Sequence, residues 1–252
     1  MLLLQKYKNH LISIAYSFIV IILLTGKVQY GQTSTPRFVE YKSITTGAQQ
    51  LLNSEMEMLE NKRIGLVGNQ SSIVGDEHLV DLLLSKNIQI IRIFSPEHGF
   101  RGASEAGEKV ADGLDPETGI QVVSLYGRNK KPAAQHLQDI DLMLFDLQDV
   151  GVRFYTYIST LTYVMEACAR QGIPVVVLDR PNPNAFYIDG PVLDTGFSSF
   201  VGLHPVPIVY GMTIGEYALM VNGEGWLKDG VKCELTIIPL TGYRHNMIFE
   251  LP

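Results

Sequence analysis

The sequence is poor in cysteine, carries no surplus of positive charge and lacks a hydrophobic run long enough to span a bilayer. Each shortage removes a class of protein. Two cysteines, Cys168 and Cys233, in 252 residues cannot frame a disulfide scaffold. Cys168 falls in a predicted helix and Cys233 in a predicted strand, where both read as small buried apolar groups. No cysteine or histidine spacing suits a metal, and His98, His136 and His204 stand apart, so no metal site is expected. Lysine and arginine number 20 against 26 aspartates and glutamates, a net charge of −6. That balance offers no basic face for a phosphate backbone, and nucleic acid is not an expected partner. GLVGNQSS after the first predicted strand lacks the G-x-G-x-x-G spacing, and neither a Walker lysine nor a G-x-S-x-G elbow is present. A nucleotide cofactor is therefore not expected, nor an acyl-transfer serine. The longest apolar stretch, Leu11–Leu24, has 14 residues with Ser13 and Ser17 as polar breaks, short for a membrane span.

That stretch follows Lys6, Lys8 and His10 and reads as the core of an export signal. Residues 1–32 are expected to be a leader, the mature chain to be periplasmic or extracellular, and no stable membrane span to remain after cleavage. No cysteine stands near the end of the core to take a lipid. Hydrophobic residues make up 46% of the chain, enough for a folded globular protein.

Short continuous apolar runs then alternate with helical spacing. Strands are expected at Arg63–Asn69, Ile88–Phe94, Val122–Leu125, Asp141–Leu147, Pro174–Leu178 and Lys232–Pro239. Helices are expected at Gln49–Leu59, His78–Lys86, Ala133–Leu137 and Ile158–Arg170, the last closed by Gly172, and from Thr213 to about Asn222. Thr213 and Glu216 have capping-box spacing. Continuous apolar strands between helices predict an α/β fold, a Rossmann-like parallel sheet with helices on both faces over residues 45–190. The pattern becomes turn-rich after Gly190. Residues 191–252 are expected to begin a smaller α+β domain whose remainder is missing.

Ligands of open parallel sheets sit beyond the carboxyl ends of the strands, so the residues that follow each strand are the candidate walls of a site. They are Asn69-Gln70-Ser71-Ser72, then Ser95-Pro96-Glu97-His98-Gly99, Tyr126-Gly127-Arg128, Gln148 and Asp149 with Arg153, Tyr155 and Tyr157, and finally Asp179-Arg180-Pro181-Asn182. Glu97, framed by proline and glycine, suits a general acid at a glycosidic oxygen; otherwise it pairs with Arg101 or His98. Asp149 is the candidate second carboxylate, or else caps the next helix. Asp146, an acid within an apolar strand, is expected to order the turn after it. Arg153 and Arg180 suit an anionic substrate group by two-pronged hydrogen bonding, or else pair with Asp149 and Asp179. Tyr155 and Tyr157 share one face if the segment continues as strand.

The segments GNQSS (68–72), SPEHGFRG (95–102), SLYG (124–127), FDLQDVGVRFYTYISTL (145–161), LDRPNPN (178–184) and YGMTIGE (210–216) resemble the YbbC/NamZ-type exo-β-N-acetylmuramidases, long known as a domain of unknown function. The resemblance covers roughly residues 45–240. It implies a Rossmann-like domain and a smaller second domain with the cleft between them. It also implies hydrolysis without an organic cofactor, releasing β-1,4-linked N-acetylmuramic acid from the non-reducing ends of peptidoglycan fragments. Muramyl saccharides are then the expected partners. The family's proposed catalytic glutamate falls on Glu97. Substrate contacts carry over to Asn69, Gln70, Arg153, Tyr157 and Arg180, with His98 and Asp179 in the same loops as further candidates. Members of the family run well past this length. An exported, non-catalytic sugar-binding protein is the alternative that the fold alone allows.

Overall fold

A computed structural model describes residues 44–97, 99–102 and 112–249; the expected leader and His98 lie outside the described residues. The elements in chain order are α1 (Gly47–Ser54), β1 (Arg63–Gly68), β2 (Ile73–Val74), β3 (Glu77–His78), α2 (Leu79–Ser85), β4 (Gln89–Ser95), β5 (Gly113–Leu114), β6 (Gln121–Ser124), α3 (Ala134–Leu137), β7 (Leu142–Asp146), α4 (Tyr157–Gln171), β8 (Val175–Leu178), α5 (Ile214–Gly223) and β9 (Leu235–Ile238).

Seven strands form one sheet in the order β5-β6-β4-β1-β7-β8-β9. All neighbours run parallel except β5, which pairs antiparallel with β6. Numbered along the chain, the six parallel strands lie in the order 3-2-1-4-5-6, the doubly wound arrangement of Rossmann folds. Strand apolarity on both faces explains why the sheet is covered twice. Along β7, Met143 and Phe145 enter the core beneath α4 and α5, while Leu142 and Leu144 enter the core beneath α1 and α2. The alternation repeats in β8, with Val175 and Val177 on one side and Val176 and Leu178 on the other. Side chains alternate across a strand, so a run apolar at every position must be buried on both faces. Truncating one of these fully buried leucines to alanine removes about 2–5 kcal/mol.

Helix α4 ends as its sequence requires. Gly172 takes φ 67° and its N–H reaches the carbonyls of Ala169 and Cys168, the left-handed stop that glycine adopts without strain. Helix α5 begins with a complete capping box between Thr213 and Glu216. The change of architecture expected at residue 190 does not divide the sheet. β9 pairs in parallel with β8, Val175 opposite Leu235 through Leu178 opposite Ile238, so the segment beyond 190 supplies the last strand of the same sheet. That segment is turn-rich as expected, and it exposes Val192, Phe197 and Val201. Cys168 and Cys233 are both buried and unbonded. Among the described residues no helix is long and apolar enough to cross a membrane.

Candidate active site

The sheet order fixes where a ligand can enter. From β1 the chain winds to β4 and β6 on one side, and from β7 to β8 and β9 on the other. The loops leaving the carboxyl ends of β1 and β7 therefore diverge and leave a crevice between them. A cavity of about 240 Å³ occupies this place, lined by Asn69, Gln70, Ser71 and Ile73 from the loop after β1 and by Gln148, Val150, Tyr155 and Tyr157 from the segment after β7.

Hydrogen bonds hold its walls rigid. The Asn69 side-chain oxygen accepts from the N–H of Ser71 at 2.9 Å and from its hydroxyl at 2.6 Å, while the amide nitrogen donates to the Tyr157 hydroxyl at 2.8 Å. Ser72 donates to the carbonyl of Asp146 at 2.6 Å, tying the end of β1 to the end of β7. The imidazole of His78 braces the loop from behind: Nε2 donates to the Asn69 carbonyl at 2.9 Å and Nδ1 accepts from the Val80 N–H at 3.2 Å. Burial lowers the pKa of His78, which favours the neutral ring that this pairing needs. Gly151, next to Val150 of the second wall, has φ 76°, and a Cβ there would fall 2.2 Å from the Asn182 side-chain oxygen. Only glycine fits at that point.

Glu97 occupies the turn after β4 and is half-buried. The Tyr126 phenol hydrogen-bonds to its carboxylate, and this bond raises the pKa of Tyr126. Burial raises the phenols of Tyr155 and Tyr157, and the charge of Glu97 adds to both shifts. The carboxylate thus lies within electrostatic reach of the two tyrosines that wall the cavity. Arg101, one expected partner for Glu97, is instead held by Asp81 and Asp115 at 2.8 and 2.9 Å. The rings of Tyr155 and Tyr157 meet edge to face at 4.7 Å and 67°. They meet through the first turn of α4, which begins at Tyr157, rather than through the strand alternation expected of them.

Other candidates lie elsewhere. Asp149 is 3% exposed and is absent from the cavity wall. One of its oxygens accepts from the Tyr210 hydroxyl and from the Gly151 N–H at 2.8 Å. The other has no partner among the described residues. Burial pushes its pKa up to about 6. Its bonds to Gly151 and Tyr210 give it a part in shaping the 149–151 turn. Arg180 is turned inward onto Asp146, with Nε at 2.6 Å and Nη2 at 2.8 Å from the two carboxylate oxygens. It cannot also grip a ligand carboxylate, and its partner is Asp146 rather than the expected Asp179. Asp179 accepts from Thr213 Oγ1 at 2.9 Å and from the Gly215 N–H at 2.8 Å, so it anchors the start of α5; burial raises its pKa to about 6. It lines a separate cavity of about 700 Å³ with Glu216, Tyr243 and His245. Arg153 donates from Nη1 to the carbonyls of Pro191 at 2.9 Å and Val206 at 2.5 Å, bracing the loop after Gly190 without entering the cavity wall. The cavity wall therefore brings together Asn69, Gln70 and Tyr157, while Glu97 is not part of that wall and acts on Tyr155 and Tyr157 through its charge. Gln148 and Tyr155 join the wall, and Tyr126 joins Glu97. Their position after strand ends was visible in the sequence, while their distinction from neighbouring polar residues was not. Among the described residues no group of three or more His, Cys, Asp or Glu is placed to hold a metal ion.

Comparison with known proteins gives consistent results. The peptidoglycan β-N-acetylmuramidase NamZ of Bacillus subtilis (strain 168) is 39% identical over 242 residues, spanning 92% of this chain and 58% of that protein. Two crystal structures of DUF1343 family proteins from Bacteroides fragilis NCTC 9343 superpose on it. One is 44% identical with a TM-score of 0.75, covering 83% of this chain and 55% of the other. The second is 39% identical with a TM-score of 0.74, covering 81% and 52%. The chain thus spans between half and three-fifths of the length of these relatives. Residues 64–252 match the family model described as exo-β-N-acetylmuramidase NamZ, N-terminal, and the chain belongs to that family.

Proposed function

We propose that the crevice between β1 and β7 binds an N-acetylmuramic acid unit at the non-reducing end of a peptidoglycan fragment, and that Glu97 protonates the departing glycosidic oxygen. The observation that carries this reading is the reach of the Glu97 carboxylate, hydrogen-bonded to Tyr126, to Tyr155 and Tyr157, which line the 240 Å³ cavity at the topological switch point. Protonation of the leaving oxygen by a positioned carboxyl is the shared first demand of glycoside hydrolysis. The Tyr126 hydrogen bond fixes the orientation of that carboxyl. Tyr155 and Tyr157 offer ring faces and hydroxyls to a pyranose. The activity of the Bacillus subtilis relative, as its name gives it, supports the same chemistry. We assign the leader at residues 1–32 to export, which would bring the enzyme to peptidoglycan outside the cytoplasm.

The test is release of N-acetylmuramic acid from a chromogenic β-N-acetylmuraminide. Glu97→Gln should lower kcat by at least ~100-fold, the usual worth of a positioned proton donor, with KM nearly unchanged. Equal turnover by the variant and the parent removes Glu97 from the mechanism. Tight binding of the sugar by the parent without release over long incubation favours a binding protein instead.

A further inference from the structure

Gln148 and Tyr155 line the cavity, and Gln148 carries hydrogen-bonding capacity that no described residue uses. The Gln148 side chain is only 5% exposed. Its amide nitrogen donates to the carbonyls of Asp149 and Pro181, both at 2.7 Å. Only an NH2 group can donate to two carbonyls, so these bonds settle which end of the amide is nitrogen and which is oxygen. The oxygen, Oε1, is buried and has no partner among the described residues. Leaving such an acceptor unmatched is costly, and native proteins rarely do so without a reason.

Tyr155 supplies the complementary group. The Tyr157 hydroxyl receives a hydrogen from Asn69 at 2.8 Å and is itself hydrogen-bonded to Tyr155. A phenol hydroxyl carries one hydrogen and two acceptor lone pairs, so the Tyr155 hydroxyl, on the cavity wall, has capacity for a ligand beyond its contact with Tyr157. Ile73 and Val150 stand on the same cavity wall and give an apolar patch.

The geometry points to Gln148 and Tyr155 as the pair that recognises an acetamido substituent on the sugar. Gln148 Oε1 accepts from its N–H, the Tyr155 hydroxyl donates to its carbonyl oxygen, and Ile73 and Val150 take its methyl group. A ring hydroxyl must serve both polar groups from a single oxygen and has no methyl group for the apolar wall, whereas a secondary amide presents its N–H and its carbonyl at separate atoms. A secondary amide with a methyl end uses all of it. This inference rests on the sugar-binding reading of the cavity and is independent of whether the bond is then cleaved.

Calorimetric binding to the whole chain tests it, with N-acetylmuramic acid and with 3-O-lactylglucose, which has a hydroxyl in place of the acetamido group. The parent should prefer the acetamido sugar by at least ~10-fold, the effect of leaving buried polar groups unpaired. Tyr155→Phe should lose about tenfold in affinity for N-acetylmuramic acid and less than about twofold for 3-O-lactylglucose. Gln148→Leu should show the same selective loss; a melting curve identifies the case in which loss of the Asp149 and Pro181 contacts unfolds it, and Tyr155→Phe then decides. Equal loss on both sugars, no loss on either, or failure of the parent to bind either sugar overturns the inference. Selective binding by a parent that releases no sugar from a chromogenic glycoside sustains the inference and overturns the hydrolase reading. Turnover without acetamido preference does the reverse.

Discussion

Asp146 and Arg180 form a two-pronged ion pair whose side chains are 0% and 2% exposed. Desolvating two charges is expensive, and the pair repays it only while both members remain. Asp146→Asn leaves a buried guanidinium without its counter-charge. It should destabilise the fold by about 3–5 kcal/mol, and thermal melting should register a drop on the order of 10 °C. An apolar replacement of both residues should cost less than the single change. A melting temperature within about 2 °C of the parent for Asp146→Asn would mean that the pair carries no such weight. An acid inside an apolar strand is expected to order the turn beyond it, yet the Asp146 carboxylate bonds to Arg180 in the loop after β8 instead. Nothing local marked Arg180 as its partner, 34 residues away, because an arginine after a strand has the same signature whether it faces a ligand or the core. Asp149 shows the same limit from the other side. Its burial depends on Tyr210, 61 residues later, and no spacing rule connects them.

At the scale of elements, α5 owes its start to Thr213. Thr213 accepts from the Glu216 N–H at 3.2 Å, and the Glu216 side chain accepts from the Thr213 N–H at 2.9 Å. The same hydroxyl donates to Asp179, so the cap also ties the helix to the end of β8. Thr213→Ala should cost at least ~1 kcal/mol, toward the upper end of the range for N-caps because two partners are lost, and should lower the midpoint of denaturant unfolding without changing its slope. An unchanged midpoint would show that the cap is replaceable. This box could be read from T-x-x-E alone, and the six parallel strands from their apolar runs, since both signals are local. The two-residue strands β2, β3 and β5 were not foreseen. A pair of residues carries no periodicity, and their pairing is set by the chain that folds back on them. The helical spacing begins at Ile158 and leaves Tyr157 open to an extended segment shared with Tyr155, but the helix starts at Tyr157. The first turn of a helix carries too few residues to betray its period.

At the scale of the molecule, the strand order 3-2-1-4-5-6 creates the site by sending successive connections in opposite directions from β1 and β7. Local pattern predicts parallel strands and helices on both faces, but it does not order the strands. The meeting of Asn69, Gln148 and Tyr157 in one cavity therefore had to come from the fold. Polar residues after strand ends fall into several environments: the crevice between β1 and β7, the ion pair of Arg180 with Asp146, the brace of Arg153 on the loop after Gly190, and the anchor of α5 at Asp179, which belongs to a different and larger cavity. That second cavity provides a direct contrast for the account. A crystal structure of the Glu97→Gln protein with N-acetylmuramic acid should show the pyranose in the 240 Å³ crevice, against Tyr155 and Tyr157, with its anomeric oxygen within hydrogen-bond distance of residue 97. Sugar density in the 700 Å³ cavity beside Asp179, Tyr243 and His245 instead, with the crevice empty, would contradict it.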